Sequence, residues 1–248
     1  MKNFFILVLL GLLFACAVEK PKGKTQAEVL YKEALRLIKD ERYLLATEKI
    51  NQLKNQFPYS YYATPAELLQ ADIFFKQESF VEAAAAYLIF RDFHPKHEKL
   101  PYVVFRIAES YYKQLPDTND RDLSAAFEAI KYYNELIVKF STSDYSKKAK
   151  KKIADCEGRI RDYEQYVADF YYKTEQYKAA RWRYRDILKN FKVKKLRSHS
   201  MQRIILSSYF LKEYKNCIRL GERYTHDLSQ SDKKLVGRYM KYCRNKLK

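Results

Sequence analysis

Residues 27–58, AEVLYKEALRLIKDERYLLATEKINQLKNQFP, and residues 64–95, TPAELLQADIFFKQESFVEAAAAYLIFRDFHP, are two copies of one pattern. Ala34, Tyr43, Ala46 and Pro58 of the first recur as Ala71, Phe80, Ala83 and Pro95 of the second, each 37 residues on. In each copy two small residues stand 12 apart and a proline follows 12 later. That spacing predicts a helix–turn–helix unit. Two antiparallel helices approach closely only where small side chains meet, which puts the alanines at the crossing. The aromatic at 43 or 80 opens the second helix and covers the joint. Proline closes that helix, because it has no N–H to donate and its ring clashes with the preceding turn.

The unit resembles the tetratricopeptide repeat, which runs to about 34 residues. A third copy spans 101–141 with Ala108 and Ala129 at the small positions, 21 apart instead of 12. The additional nine residues fall in QLPDTNDRDLS, a polar stretch with turn chemistry, and Ser141 replaces the closing proline. A fourth copy carries Ala168, Tyr177 and Ala180, and a weaker fifth carries Tyr214 with Cys217 in the alanine position. Between the third and fourth, Ala149, Ile153, Cys156, Ile160, Tyr163, Val167 and Phe170 alternate steps of four and three, which predicts one apolar stripe on a long helix. Val236, Met240, Cys243 and Leu247 repeat at helical spacing and predict a capping helix. The expected fold is an all-α tetratricopeptide-repeat solenoid of about five units. Residues 27–141 would hold repeats 1–3, and 142–248 the long helix, repeats 4–5 and the cap.

The chain opens with Lys2 and an apolar run over 4–14, shorter than the ~20 residues a spanning helix needs. A positive start and a short apolar core read as an export signal. Leu13-Phe14-Ala15-Cys16 resembles the bacterial lipobox, with an aliphatic residue, a small one and then the cysteine that carries diacylglycerol. Residues 1–15 are therefore expected to be a lipoprotein signal peptide, Cys16 the lipid attachment site and 16–26 a lysine-rich tether. The plainer alternative is an ordinary signal with a chance cysteine. Two or three acyl chains, at ~0.8 kcal/mol per buried CH₂, would anchor the protein firmly. Ala17 follows the cysteine, where an inner-membrane retention signal would place Asp, so the expected location is the periplasmic face of the outer membrane. No cofactor is expected beyond the covalent lipid.

Net charge is +18. In a cytosolic protein that would suggest nucleic acid. Export removes that partner and leaves acidic proteins or the phosphate-rich membrane surface. Three cysteines remain after Cys16, namely Cys156, Cys217 and Cys243. An oxidising periplasm permits disulfides, but the odd number and wide spacing favour small core residues. His94, His97, His199 and His226 show no metal-ligand spacing, and HPKH reads as a turn at a helix end. Neither a nucleophile triad, a carboxylate pair nor a phosphate loop is present, which argues against an enzyme such as a lipoprotein hydrolase.

The lipobox, the tether and the repeats together resemble the BamD/ComL family of outer-membrane assembly lipoproteins. NQFPYS closes the first unit, and HPKHEKLPYVVFRIAESYY joins the second to the third with Pro95, His97, Tyr102, Val103 and Arg106 in the family's run. DRDLSAAFEAI follows the insertion, and the long helix ends in YVADFYYKTEQY. Leu123 stands where the family often has proline, and the chain is more basic than the enterobacterial members. The resemblance implies a non-enzymatic scaffold whose carboxyl-terminal repeats dock the periplasmic domains of a barrel-forming assembly subunit, beside other assembly lipoproteins. It implies amino-terminal repeats that recognise the carboxyl-terminal signal of unfolded outer-membrane proteins. The alternative is a repeat lipoprotein adaptor of another envelope system, a secretin pilotin or a cell-wall coordinator.

One feature of the residues themselves suggests a peptide groove. The first helix of four repeats ends in an apolar residue followed by lysine: Ile38-Lys39, Phe75-Lys76, Tyr112-Lys113 and Tyr172-Lys173. The first three pairs would hold an extended peptide ending in an aromatic residue and a free carboxylate; the bland alternative is consensus packing and solubility. Lys147, Lys148, Lys150, Lys151 and Lys152 crowd the start of the long helix, where positive charge opposes the helix dipole. With Tyr172 and Lys173 they are candidates for contact with an acidic face of a partner, against the alternative of a solvated surface.

Overall fold

The computed structural model describes residues 21–248. The signal segment and Cys16 lie outside the described residues. Within them are eleven α-helices: α1 (Gln26–Lys39), α2 (Tyr43–Gln56), α3 (Ala63–Lys76), α4 (Phe80–Phe93), α5 (Leu100–Lys113), α6 (Ser124–Lys139), α7 (Asp144–Lys173), α8 (Tyr177–Asn190), α9 (Lys194–Phe210), α10 (Tyr214–Tyr224) and α11 (Gln230–Asn245). No helix among the described residues is long and apolar enough to cross a membrane. The described residues form two compact units, unit 1 ending at Ser110 and unit 2 over Tyr111–Lys248.

The repeat is written in the backbone as well as in the side chains. Glu41, Glu78, Glu175 and Lys212 are the four non-glycine residues with positive φ among the described residues, between 57° and 61°. Each sits between the two helices of a pair. The N–H of Glu41 bonds the Ile38 carbonyl and the N–H of Arg42 bonds the Leu37 carbonyl. Glu78, Glu175 and Lys212 begin the same two-bond pattern. This is a Schellman turn, usually closed by glycine because a Cβ is disfavoured in the left-handed region. The third repeat lacks it. There the insertion intervenes, and Asp122 starts α6 by accepting hydrogen bonds from the N–H and hydroxyl of Ser124.

Ala34, Ala46, Ala71, Ala83, Ala108, Ala129, Ala168 and Ala180 are all fully buried, as close helix crossing requires. In unit 1 Ala34 and Ala46 pack with Leu30, Leu37, Ile50, Leu53 and Ile73. In unit 2 the carboxyl-terminal core gathers Tyr184, Ile187, Met201, Ile204, Ile205 and Leu220. α10 and α11 come so close that a Cβ on Gly221 would lie 2.4 Å from the Met240 sulfur. Ser229 caps α11 by accepting the N–H of Asp232, whose carboxylate also receives the Ser198 hydroxyl.

Three sequence expectations need correction. Cys217 and Cys243 are buried, but they form a disulfide between α10 and α11, while Cys156 is a free buried thiol. The long-helix stripe does not hold to its end: Phe170 is half exposed and Ala168 takes the buried place, because a straight helix drifts away from a 3.5-residue repeat. Leu247 falls beyond the end of α11 and is exposed, so the cap buries Val236, Met240 and Cys243 without it.

Candidate functional site

The ladder residues divide sharply by chemistry. Ile38 lies in the unit 1 core. Phe75 packs edge-on against Phe80, with ring centroids 5.3 Å apart, and carries the Arg106 guanidinium 4.3 Å above its face. Tyr172 meets Tyr177 in the same way at 5.5 Å and carries Arg203 at 4.3 Å. These apolar residues brace the Schellman turn against the first residue of the next helix. Tyr112 has no such turn beside it. Its hydroxyl donates to Asp155 Oδ2 at 2.8 Å, and Lys152 sits 3.6 Å above its ring. Lys39, Lys76, Lys113 and Lys173 are all exposed, so the lysines are what the ladder offers to a ligand.

A cleft of about 790 Å³ opens in unit 1 away from those lysines. Tyr31, Tyr61, Tyr62, Phe93, His97 and Lys99 contribute to its walls. Tyr31 comes from α1 and Phe93 from the end of α4, and the α2–α3 and α4–α5 loops supply the others. Tyr31 and Tyr62 meet at a tilt with centroids 5.4 Å apart, and Tyr61 meets Tyr62 edge-on at 5.4 Å. HPKH is a turn, closed by the His97 N–H on the His94 carbonyl. His94 Nε2 lies 2.7 Å from Glu67 Oε2, and His97 Nδ1 accepts the Lys99 N–H. No group of acidic, histidine or cysteine side chains among the described residues is arranged to hold a metal ion.

Each unit also contains a buried polar knot. In unit 1 the hydroxyls of Tyr87 and Tyr102 both donate to Asp72 Oδ1 at 2.5 Å, and Arg106 Nε donates to the Tyr102 oxygen at 3.0 Å. Burial, reinforced by the Asp72 charge, pushes the Tyr102 hydroxyl up to about 12 and Tyr87 well above the ordinary tyrosine range. In unit 2 the Tyr184 hydroxyl donates to Asp169 Oδ1 at 2.5 Å, and His199 Nε2 lies 2.8 Å from the same oxygen. Burial works to raise the Asp169 pKa, but the hydrogen bonds from His199 and Tyr184 outweigh it and hold the carboxyl below its usual range. Each knot ties three helices together.

The lysine cluster at the start of α7 is largely open. Lys147 pairs with Asp144 at 3.1 Å, Lys148 lies 5.8 Å from the Tyr145 ring, and Lys150 and Lys151 are exposed. Elsewhere in unit 2, Trp182 on α8 is 58% exposed. A second cleft of about 540 Å³ has Phe127, Ile160, Phe191 and Val193 among its apolar walls, with Glu157, Glu164 and Asp186 beside them. Sequence reasoning missed the unit 1 cleft and both knots. The signal for the knots was present: ADIFFKQESF (71–80) and ADFYYKTEQY (168–177) align with an offset of 97. The same offset carries Tyr87 to Tyr184, Tyr102 to His199 and Arg106 to Arg203.

Comparison with known proteins gives a consistent result. A family model described as YfiO, outer membrane lipoprotein, matches residues 23–205. Outer membrane protein assembly factor BamD of Neisseria meningitidis serogroup A is 31% identical over 77% of this chain and 78% of its own length. The protein of that name from Rickettsia prowazekii is 26% identical over 83% of this chain and 82% of its own length. That of Vibrio cholerae is 24% identical over 75% of this chain and 81% of its own length.

Proposed function

The chain belongs to the YfiO family of outer membrane lipoproteins, and we propose that it is a non-enzymatic scaffold of outer-membrane protein assembly. The observation that carries this reading is the family match over 23–205, with relatives of the BamD name spanning most of both chains. In the proposal, Cys16 holds the protein to the outer membrane through covalent lipid. Unit 2 docks the periplasmic domains of the barrel-forming subunit and other assembly lipoproteins. Unit 1 helps recognise unfolded outer-membrane proteins.

Physical features support that division. Trp182 and Phe127 are large exposed apolar side chains on unit 2, the kind of residue that anchors protein interfaces. Lys150 and Lys151 add an open positive surface on the same unit, suited to an acidic partner. On unit 1, the exposed Lys39 and Lys76 can pair with a peptide carboxylate, while Ile38 and Phe75 keep the turns beneath them rigid. Glutamate at positions 39 and 76 should then weaken binding of a peptide ending in an aromatic residue and a free carboxylate; unchanged affinity would remove the peptide role of these lysines. The test of the whole reading is affinity purification from detergent-solubilised outer membrane. Recovery of a large barrel protein with several small periplasmic domains is expected. Recovery of a secretin alone would reassign the chain to a different envelope system.

A further inference from the structure

The antiparallel pairing of helices brings the start of α1, the end of α2, the start of α3, the end of α4 and the start of α5 to one end of unit 1. The tether leaves from this end. The Lys24 N–H donates to Glu28 at 2.9 Å, and Lys32 Nζ donates to the Lys22 carbonyl at 3.2 Å, so the chain is fastened to α1 from residue 22 onward. Five residue steps separate Cys16 from Pro21. At ~3.5 Å per residue that span reaches at most ~18 Å. Read with Cys16 as the point of lipid attachment, on which this inference rests, this end of unit 1 cannot stand far from the bilayer.

The surface found there suits a lipid headgroup layer. Tyr59 is 101% exposed, Tyr61 85% and Phe93 77%. Burial in the unit 1 core does not account for these rings, and they flank the aromatic cleft. Tyrosine is favoured at membrane interfaces because its ring is apolar and its hydroxyl remains wet. Lys22, Lys24, Lys32, Lys96 and Lys99 stand at the same end. Of the carboxylates near them, Glu28 is paired with Lys32 and Asp92 with Arg91, Glu67 is hydrogen-bonded to His94, and Glu98 is exposed. The local balance is positive, and basic groups beside an anionic leaflet are drawn to it. Lys39 and Lys76 lie at the other end of the helices, clear of this surface.

We infer that the tether-bearing end of unit 1 is a membrane-docking surface for anionic phospholipid, with Tyr59, Tyr61 and Phe93 entering the headgroup region and Lys96 and Lys99 meeting lipid phosphates. The acyl anchor then fixes where the protein is, and this surface fixes which way unit 1 faces.

The test uses the mature chain carrying Cys16→Ser, so vesicle binding does not depend on lipidation. Trp182→Phe removes the one native tryptophan, and Tyr61→Trp places a probe in the α2–α3 loop. Vesicles of phosphatidylethanolamine and phosphatidylglycerol are expected to shift the probe emission to the blue. Brominated lipid should quench it, and phosphatidylcholine vesicles should do neither. Lys96→Glu with Lys99→Glu should weaken partitioning at least tenfold, since each lysine near an anionic surface contributes about one factor of five. Tyr59→Ser with Phe93→Ser should weaken it with circular dichroism unchanged. Binding without quenching at position 61 would overturn the proposal and place the contact on another basic surface, such as the start of α7. No binding at low salt would also overturn it. A probe that responds to an aromatic-terminated peptide but not to vesicles would make this end a peptide site instead. Fractionation of the Cys16→Ser protein in cells reads the lipid-anchor question separately.

Discussion

The Asp72 knot of unit 1 and the Asp169 knot of unit 2 occupy the same places in the repeat and differ most at one side chain, although unit 2 adds Gln165, which donates to Asp169 Oδ2 at 3.4 Å, where unit 1 has Leu68. In unit 1 the third helix supplies Tyr102, whose oxygen both donates to Asp72 and accepts from Arg106. In unit 2 the corresponding residue is His199, which reaches Asp169 but has no hydroxyl to offer Arg203. The buried Arg203 Nε accordingly makes no hydrogen bond among the described residues. A repeat can thus keep its geometry while losing polar satisfaction. Unit 2 has other fastenings. Arg181 forms a two-pronged ion pair with Glu213 across α8 and the α9–α10 turn, and the disulfide ties α10 to α11.

The strongest way to break the comparison is to remove the carboxylates. Asp72→Ala strands two buried tyrosine hydroxyls and should cost about 4 kcal/mol in urea unfolding, at 1–3 kcal/mol for each buried group left unpaired. Asp169→Ala strands one hydroxyl and an imidazole that solvent reaches more easily, so its cost should be smaller, about 3 kcal/mol. An equal or reversed order would show that the knots do not share the load as described.

Breaking the disulfide comes next. Its loop is 26 residues. Cys217→Ala with Cys243→Ala should cost unit 2 about 3 kcal/mol. Hydrogen exchange should show α10 and α11 losing protection while α1–α4 are unchanged.

Much of this fold could be read in the sequence, and the unread parts have physical causes. Helix pairs and alanine crossings were legible because they repeat at fixed short spacings. The knots were not, because Asp72, Tyr87 and Tyr102 come from three helices and share no local pattern. Only the offset of 97 between the second and fourth repeats exposes them. The disulfide was obscured because Cys217 occupies an alanine position and reads as a small core residue. Its partner Cys243 is brought opposite only by the close crossing of α10 and α11. Of the candidate ladder, the recurrence of apolar residue and lysine was legible, but the packing of Ile38, Phe75 and Tyr172 depends on rings contributed by the next helix.

The comparison sharpens when the differing residue is exchanged. His199→Tyr should restore an acceptor to Arg203 and stabilise unit 2 by about 1 kcal/mol, while Tyr102→His should cost unit 1 a similar amount. The pH dependences should also separate. The raised pKa of Tyr102 means that its contribution is whole below the ordinary value of ~10 and is lost as pH rises through about 12. Tyr102→Phe should flatten that alkaline limb of the urea midpoint. The lowered pKa of Asp169 gives the opposite sign: its contribution is present above the ordinary ~3.9 and is lost as pH falls through the depressed value. The smallest effect is a control in which the units should agree. Glu78→Gly and Glu175→Gly each relieve a left-handed residue and should stabilise by about 0.5–1 kcal/mol.

The proposed division of labour gives the assembly partner to unit 2 and the membrane and client to unit 1. Photo-crosslinking amino acids placed in turn at positions 182 and 61 of the lipidated protein in living cells test it most directly. Position 182 should crosslink a large barrel protein and position 61 should not. Crosslinks to that protein from position 61 alone would place the barrel partner on unit 1 instead.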